Sequence, residues 1–197
     1  RSLCNIEEGF AAMILKDVKL MLNNGKRCVM RSGQANDSRK AAVYFRQIAQ
    51  EDAFTEMMAD EVPDVYEIRK MLQHFETAPR EVMVLAWVRK QIIGCGMLKT
   101  VQPYCRMQHR CSIRIGVLPE YQQIGVATGL AQQLLRCAGK CDYEQIELEV
   151  MGKNIPAVSL CNKMGFSTYW IKEEAFKMGK GRYEKALLME KKLDWLK

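Results

Sequence analysis

The part of the sequence best suited to chemistry is residues 117–128, where an alternating apolar segment meets an apolar segment of helical spacing. These two patterns predict a strand, a tight turn and the start of a helix. Gly125 permits a backbone with positive φ and lets a ligand approach closely. The first amides of a helix have no partner within it and lie at its positive dipole end, which suits a phosphate. The turn therefore predicts a backbone site for a phosphorylated ligand, with an ordinary strand-to-helix turn as the alternative.

Apolar periodicity predicts the elements that must position this turn. Residues 5–23 carry apolar side chains at helical spacing, which predicts an amphipathic helix ending at residues 23–25. There follow, in order, a predicted strand at 28–31, helices at 38–50 and from 63 to about 77, strands at 82–88 and 92–98, the strand ending at 117, a helix at 126–139, a strand at 146–150, a helix at 154–164, and strands at 167–171 and 186–190. The order predicts a mixed α/β domain at residues 26–197, preceded by an N-terminal helical extension at residues 1–25.

Composition narrows the class of protein. The chain has 197 residues, of which 48% are apolar and 27% charged, and these values are typical of one globular domain. The apolar runs are shorter than the roughly 20 residues that cross a membrane, so we expect no membrane partner. The eight cysteines are scattered and lack common zinc spacings, which predicts buried thiols, no metal site and a cytoplasmic location.

Charge is unevenly distributed along the chain. The net charge is +7, yet residues 51–81 contain nine acidic and only three basic residues. The remainder is strongly basic and suits a polyanionic ligand. Because the basic residues form no continuous run interleaved with aromatics, we expect no nucleic-acid partner.

Two motifs resemble those of the GNAT N-acetyltransferase superfamily. The first is V-x-P-x-x-(Q/R)-x-x-G-x-(G/A), present as Val117, Pro119, Gln122, Gly125 and Ala127. The second is N-x-x-A-x-x-L-Y-x-K-x-G-F, present as Asn154, Ala157, Leu160, Cys161, Lys163, Gly165 and Phe166, with cysteine in place of the tyrosine. The resemblance covers the chain from residue 27 onwards and is greatest to small bacterial GNAT proteins.

The resemblance implies a GNAT fold of about seven strands flanked by four or more helices, and acetyl-CoA as co-substrate. In that family the strand ending at the turn and the next strand part, and the pantetheine arm lies between them. The residues implied in CoA binding are Val117, Pro119, Gln122, Gln123, Gly125, Val126, Ala127, Thr128, Asn154, Ala157 and Lys163. For Asn154, helix capping is an alternative that is compatible with binding.

The implied reaction is direct attack of an amine on the thioester, and it needs a base and an acid. Cys161 stands where the family has its tyrosine acid, with buried packing as the alternative role, and Tyr169 and Tyr183 are substitute acids. Ser112 stands where many relatives have glutamate, and it can hold a water that removes the proton. Glu147 and Glu149 share one face of the predicted strand 146–150, so either can face the cleft.

The acceptor is expected to be a primary amine of a small molecule or peptide. Glu56, Asp60 and Glu61 lie in the segment that lines the acceptor site in relatives, so they are predicted to attract a cationic amine; a solvated helix face is the alternative. Two other functions stay open, namely acyl-CoA binding without catalysis and self-acylation of Cys161. A homodimer is compatible with the sequence, although no residue pattern requires one.

Overall fold

The computed structural model describes residues 12–193 apart from residues 53, 56 and 103. The elements, in chain order, are β1 (Val18–Met21), β2 (Arg27–Ser32), α1 (Ser38–Glu51), α2 (Val65–Thr77), β3 (Val82–Val88), β4 (Gln91–Thr100), β5 (Arg110–Val117), α3 (Val126–Lys140), β6 (Gln145–Met151), α4 (Ile155–Lys163), β7 (Ser167–Gly179) and β8 (Arg182–Lys192). The predicted mixed α/β fold, with strands and helices in the predicted order from residue 27 onwards, is confirmed.

The eight strands form one sheet in the order β1-β2-β3-β4-β5-β6-β8-β7. Every neighbouring pair is antiparallel except β5 and β6, which are parallel. A parallel pair needs a crossover, and α3 supplies it. The carboxyl ends of β5 and β6 therefore lie at the same edge of the sheet, and α3 and α4 both begin there.

Glycines on neighbouring strands let helices approach the sheet closely. A Cβ added to Gly94 would lie 3.2 Å from the side chains of Leu130 and Val126 on α3. One added to Gly116 would lie 2.8 Å from Ile48 and 2.9 Å from the Tyr44 hydroxyl on α1. The absence of a side chain at Gly94 thus lets α3 lie close to β4, and α1 packs against β5 through the position that Gly116 leaves open.

The helix predicted over residues 5–23 is wrong at Val18–Met21, which forms β1. Residues 12–17 have no regular secondary structure, and residues 5–11 of that prediction lie outside the described part of the chain. β1 pairs with β2 through a turn at residues 22–26, so the expected boundary after residue 25 falls within a hairpin. Residues 18–21 form a strand despite their helical spacing, because the hydrogen bonds to β2 stabilise the strand more than local propensity favours a helix.

The outermost strand, β7, pairs only with β8 among the described residues. It has thirteen residues, and ten of them are exposed on one face or the other. Its register with β8 shifts three times, between Thr168 and Trp170, between Lys172 and Phe176, and between Lys177 and Gly179. The sheet therefore ends in an irregular edge.

Most cysteines are buried thiols, as predicted. Cys28, Cys95, Cys111, Cys137 and Cys141 are buried and free, and burial raises the pKa of Cys95 to about 12. Cys105 departs from the prediction because it is disulfide-bonded. Within the described residues, no helix is both long enough and apolar enough to span a bilayer.

Candidate active site

The central feature of the site is a cleft between β5 and β6. The two strands pair only at Arg110–Gln145, Cys111–Ile146 and Ser112–Glu147. Beyond these positions β5 stays paired with β4 as far as Val117, and β6 stays paired with β8 as far as Met151. Residues 113–117 and 148–151 therefore face each other as two separated edges. Peptide groups on such edges need partners, which an extended ligand carrying amides can supply.

Two side chains hold the end of β5 in place. The Tyr44 hydroxyl donates a hydrogen bond of 2.9 Å to the carbonyl oxygen of Gly116. The side-chain amide of Gln122 donates one of 3.1 Å to the carbonyl oxygen of Val117. Burial raises the pKa of Tyr44 well above its usual value, so its hydroxyl remains a donor. The Gly116 carbonyl is thus bonded to α1, and that of Val117 to the turn that follows.

The turn after β5 gathers the first group of predicted CoA-binding residues. Pro119–Tyr121 forms a short 3-10 helix, after which Gln123 and Gly125 adopt positive φ values of 59° and 99°. Gly125 precedes the first residue of α3 and provides no side-chain cap. Val117 and Val126 are buried and pack in the hydrophobic core.

The first amides of α3 are unpaired. The Gly129 N–H donates to the Gly125 carbonyl oxygen at 3.0 Å, and this is the first bond of the helix. No described residue accepts a hydrogen bond from the N–H groups of Val126, Ala127 or Thr128. The first turn also contains no acidic side chain. Unpaired amides at the positive end of the dipole form an anion site.

The β1–β2 turn supports this loop from the other side. The Asn23 N–H donates a hydrogen bond of 3.1 Å to the carbonyl oxygen of Ile124. Sequence reasoning missed this contact because it assigned residues 5–23 to a helix. It also missed the bond from Tyr44, since no local pattern reveals a contact between residues 72 positions apart.

The second group of predicted CoA-binding residues lies on α4. Asn154 caps the helix, because its Oδ1 accepts a hydrogen bond of 3.2 Å from the Ala157 N–H. The capping alternative is thus correct, and the side-chain N–H groups of Asn154 remain available to a ligand. Lys163 ends the helix nine residues later, roughly 13 Å along its axis. The structure therefore brings Asn154 and Ala157 to the cleft edge of the sheet and leaves Lys163 at the far end of α4.

The three predicted catalytic residues lie on three different elements. Ser112 is half-exposed on β5 at the last pair before the strands part. Cys161 is half-buried on α4 and packs against the core, and burial raises its pKa to about 11. Tyr169 lies on β7, two strands away from β6, which corresponds to roughly 10 Å. Burial and, next, the charge of Glu147 raise the pKa of Tyr169.

The glutamates of β6 differ in how they are paired. Glu147 forms an ion pair with Arg110, and the same carboxylate accepts a 3.1 Å hydrogen bond from the Gln145 side chain. Glu149 follows on the same face, beyond the last β5–β6 pair, and is exposed. Among the described residues it has no ion pair or hydrogen-bond partner for its carboxylate. It is therefore the better-placed proton acceptor of the two.

The acidic segment after α1 is only partly described. Asp60 and Glu61 lie in the 3-10 turn Ala59–Glu61, and both are exposed. The Glu61 carboxylate accepts a 2.7 Å hydrogen bond from the Met58 N–H, whereas no described residue pairs with that of Asp60. Glu56 lies outside the described residues. As for metal ligands, the described residues contain no group of three or more His, Cys, Asp or Glu side chains placed to hold an ion.

Comparisons with known proteins agree with this geometry. A family model described as Acetyltransferase (GNAT) family matches residues 45–166, which is more than half of the chain. An N-alpha-acetyltransferase from Sulfolobus acidocaldarius is 33% identical over 122 residues, covering 60% of this chain and 71% of that protein.

Solved structures share the fold at low sequence identity. An acetyltransferase of the GNAT family from Streptococcus pneumoniae superposes with a TM-score of 0.80 at 20% identity, covering 84% of this chain and 99% of that one. YncA from Salmonella typhimurium, solved with its cofactor acetyl-CoA, gives a TM-score of 0.75 at 14% identity, with 85% and 94% covered. Together with the family match, the parted strands and the uncapped helix lead to one conclusion: the chain belongs to the GNAT family of acetyltransferases.

Proposed function

We propose that this protein transfers the acetyl group of acetyl-CoA to a primary amine of a small molecule or peptide, by direct attack of the amine on the thioester. One observation carries the proposal, namely that β5 and β6 part immediately beside the unpaired amides of α3. The CoA diphosphate would accept hydrogen bonds from Val126, Ala127 and Thr128. The pantetheine arm would lie between residues 113–117 and 148–151 and pair with the free strand edges. Asn154 would donate its side-chain N–H groups to the same arm.

We favour the α-amine of a polypeptide as the acceptor. The relative from Sulfolobus acidocaldarius is an N-alpha-acetyltransferase, and the residues compared are 33% identical. The competing acceptor is a cationic small molecule drawn by the acidic segment. That idea has less support, because of the two described acids Glu61 already accepts a backbone hydrogen bond, and only the carboxylate of Asp60 lacks a described partner.

Glu149 is proposed to remove the amine proton, either directly or through a water held by the Ser112 hydroxyl. Both side chains lie on the same face of the sheet, since Ser112 pairs with Glu147 and Glu149 follows two residues later. A positioned general base typically contributes a factor of 10²–10⁴. We therefore expect Glu149→Gln to lower kcat about 100-fold with little change in the KM for acetyl-CoA. The matched control is Glu173→Gln on exposed β7, which should leave kcat unchanged.

The two predicted acids, Cys161 and Tyr169, are weak proton donors for the leaving thiolate. Cys161 and Tyr169 both hold their protons at neutral pH, because each has a raised pKa. Transfer from a thiol of pKa about 11 to a simple thiolate of pKa about 8.5 costs roughly 3 kcal/mol. We therefore expect Cys161→Ala and Tyr169→Phe each to change kcat less than about threefold. The same raised pKa keeps Cys161 out of its nucleophilic thiolate form, which argues against self-acylation.

Because Cys161 and Tyr169 are weak acids, a second candidate function is also favoured. In this alternative the protein binds acyl-CoA without catalysing acyl transfer. Measuring the release of the CoA thiol from acetyl-CoA distinguishes the acetyltransferase from the binding module. The assay uses peptides with a free N-terminus, the same peptides acetylated in advance, and a panel of polyamines, aminoglycosides and lysine. Release with the free peptides alone supports the peptide acceptor. CoA binding by calorimetry without release from any amine would reject the enzyme in favour of the binding module, and the absence of CoA binding at millimolar concentration would reject both.

A further inference from the structure

A second concave site lies beside the predicted CoA-binding turn and outside the cleft. It is a cavity of about 1310 Å³ between the β1–β2 turn, β2, the start of α1 and the β3–β4 turn. Tyr121, from the 3-10 helix after β5, forms part of its wall. None of residues 113–117 or 148–151 lines it. The cavity therefore adjoins the CoA loop but is not the space between the parted strands.

The lining of this cavity is strongly basic. Six cationic side chains face a single carboxylate, that of Asp37; they are Lys26, Arg27, Arg31, Lys40, Arg89 and Lys90. Asp37 is occupied by Arg31, whose two terminal nitrogens each lie 2.8 Å from a carboxylate oxygen. Within the described part of the chain, no carboxylate forms an ion pair with any of the other five. The cavity thus concentrates positive charge that the protein itself does not neutralise.

Aromatic rings hold several of these cations in position. The Lys26 ammonium lies 5.0 Å from the centre of the Tyr121 ring, and Arg31 and Lys40 lie 4.8 and 5.2 Å from that of Trp87. Such contacts favour a defined placement of a cation. Trp87 is 7% exposed, and its indole N–H has no hydrogen-bond acceptor among the described residues. The wall therefore offers several hydrogen-bond donors, and Asp37 provides its single carboxylate.

We propose that this cavity binds a small, multiply phosphorylated ligand that is distinct from CoA. Several phosphates within one compact molecule match five unneutralised cations around one concavity better than a single ion does. The cavity is also far larger than one ion. Nucleic acid suits it less, since a duplex needs an extended basic stripe and a single strand needs bare aromatic faces. Here the cations already cover the rings of Trp87 and Tyr121.

The probe is inorganic tripolyphosphate, titrated by calorimetry at fixed ionic strength with CoA saturating, so that the amides of α3 are already occupied. The test variant is Arg89→Asn combined with Lys90→Gln in the exposed β3–β4 turn. Asparagine suits position 89, where φ is 54°. The control is Lys172→Gln combined with Lys177→Gln on exposed β7, which removes the same charge elsewhere. We expect the Kd for tripolyphosphate to rise at least tenfold in the test variant and less than twofold in the control.

Several results would overturn the proposal. One is the absence of tripolyphosphate binding by the CoA-saturated protein, and another is an equal loss of affinity in both double variants. A third is a test variant that loses affinity for CoA but not for dephospho-CoA, since the cavity would then hold CoA's own 3′-phosphate. Lys40→Gln on α1 is a second test variant, with a thermal melt to verify folding, and should raise the Kd about threefold. Acetyl transfer by both test variants should equal that of the unmodified protein, which separates this site from the proposed function.

Discussion

Helices α2 and α3 begin in opposite ways. At α2, Asp64 accepts a 2.8 Å hydrogen bond from the Glu67 N–H, and Glu67 adds a negative charge to the first turn. At α3, Gly125 offers no cap, and the first turn contains no acidic residue. Both capping and dipole compensation stabilise a helix end, by about 1 kcal/mol for a good cap. Omitting both at α3 leaves donors for a ligand at the expense of stability, and for this reason we propose this end as a site for an anion.

The other two helix ends fall between these extremes. Asp37 precedes α1, but its carboxylate bonds to Arg31 and to the Gln34 N–H and makes no cap. Asn154 caps α4 through its oxygen and keeps its N–H groups free. The N-termini of the four described α-helices therefore differ. That of α2 is capped, and that of α3 has no cap. The residue before α1 anchors β2 through Arg31, and the residue before α4 combines capping with a proposed contact to the ligand.

A negative charge in the uncapped first turn of α3 should have the largest effect, which is a loss of CoA affinity. Thr128→Glu places a carboxylate at the third residue of α3, where it would occupy the amides and repel the diphosphate by roughly 3 kcal/mol. We expect the Kd for CoA to rise about 100-fold, while the melting temperature stays equal or rises because the charge complements the dipole. Thr128→Gln is the isosteric neutral control and should bind CoA within about threefold of the original protein. Equal affinities for the two variants would contradict an anion site at α3.

Weakening the Arg31–Asp37 pair before α1 should mainly lower the free energy of unfolding. Asp37→Asn weakens a largely buried, bidentate pair with Arg31, and charged hydrogen bonds of this kind contribute about 2 kcal/mol. We expect a loss of that size in the free energy of unfolding at pH 7, measured in urea, with an unchanged KM for acetyl-CoA.

The acid dependence of that loss gives an independent measurement. Burial alone would raise the pKa of Asp37, but hydrogen bonds and charge from Arg31 outweigh it, so the pKa is lowered. A carboxyl with a lowered pKa contributes stability above its unfolded pKa, about 3.9, and loses it as the pH falls through the folded value. The difference between the original protein and Asp37→Asn should therefore be constant above about pH 5 and shrink below about pH 4. A difference that grows in acid would contradict this account.

Removing the N-cap of α2 should have a smaller effect on the free energy of unfolding. Asp64→Ala deletes the oxygen that accepts from Glu67, which typically costs about 1 kcal/mol. The urea midpoint should fall accordingly, and CoA affinity should not change. A change in CoA affinity larger than about twofold would show that the two helix ends are not independent.

The dual role proposed for Asn154, as a helix cap and as a ligand contact, predicts the smallest effect. Asn154→Asp keeps an oxygen for the Ala157 N–H and removes the side-chain N–H groups. Stability should stay the same, and the KM for acetyl-CoA should rise about threefold, measured by initial rates. Asn154→Ser is a capping control without those N–H groups. If both variants keep the original KM, Asn154 acts only as a cap.

The sequence predicts most of this fold because its strands and helices have clean periodicity and its turn carries a specific glycine motif. The uncapped N-terminus of α3 can be predicted from the sequence, since Gly125 precedes an apolar helix without acidic residues. The parting of β5 and β6 has no local signature; the resemblance supplies it, because it depends on which strand each edge pairs with. Periodicity predicts a helix where β1 forms, because Val18, Met21 and Leu22 also fit helical spacing. Arg31 and Asp37 are close in sequence, but only the paired strand brings them together.

The irregular β7 edge has a consequence for how this protein behaves in concentrated solution. Three breaks in register interrupt the outer ladder, so no run of more than about three residues offers a neighbour evenly spaced donors and acceptors. Fibril growth by edge addition requires a longer regular template. Although Trp170 and Ile171 are exposed on this strand, the irregular backbone around them disfavours in-register pairing with a second molecule.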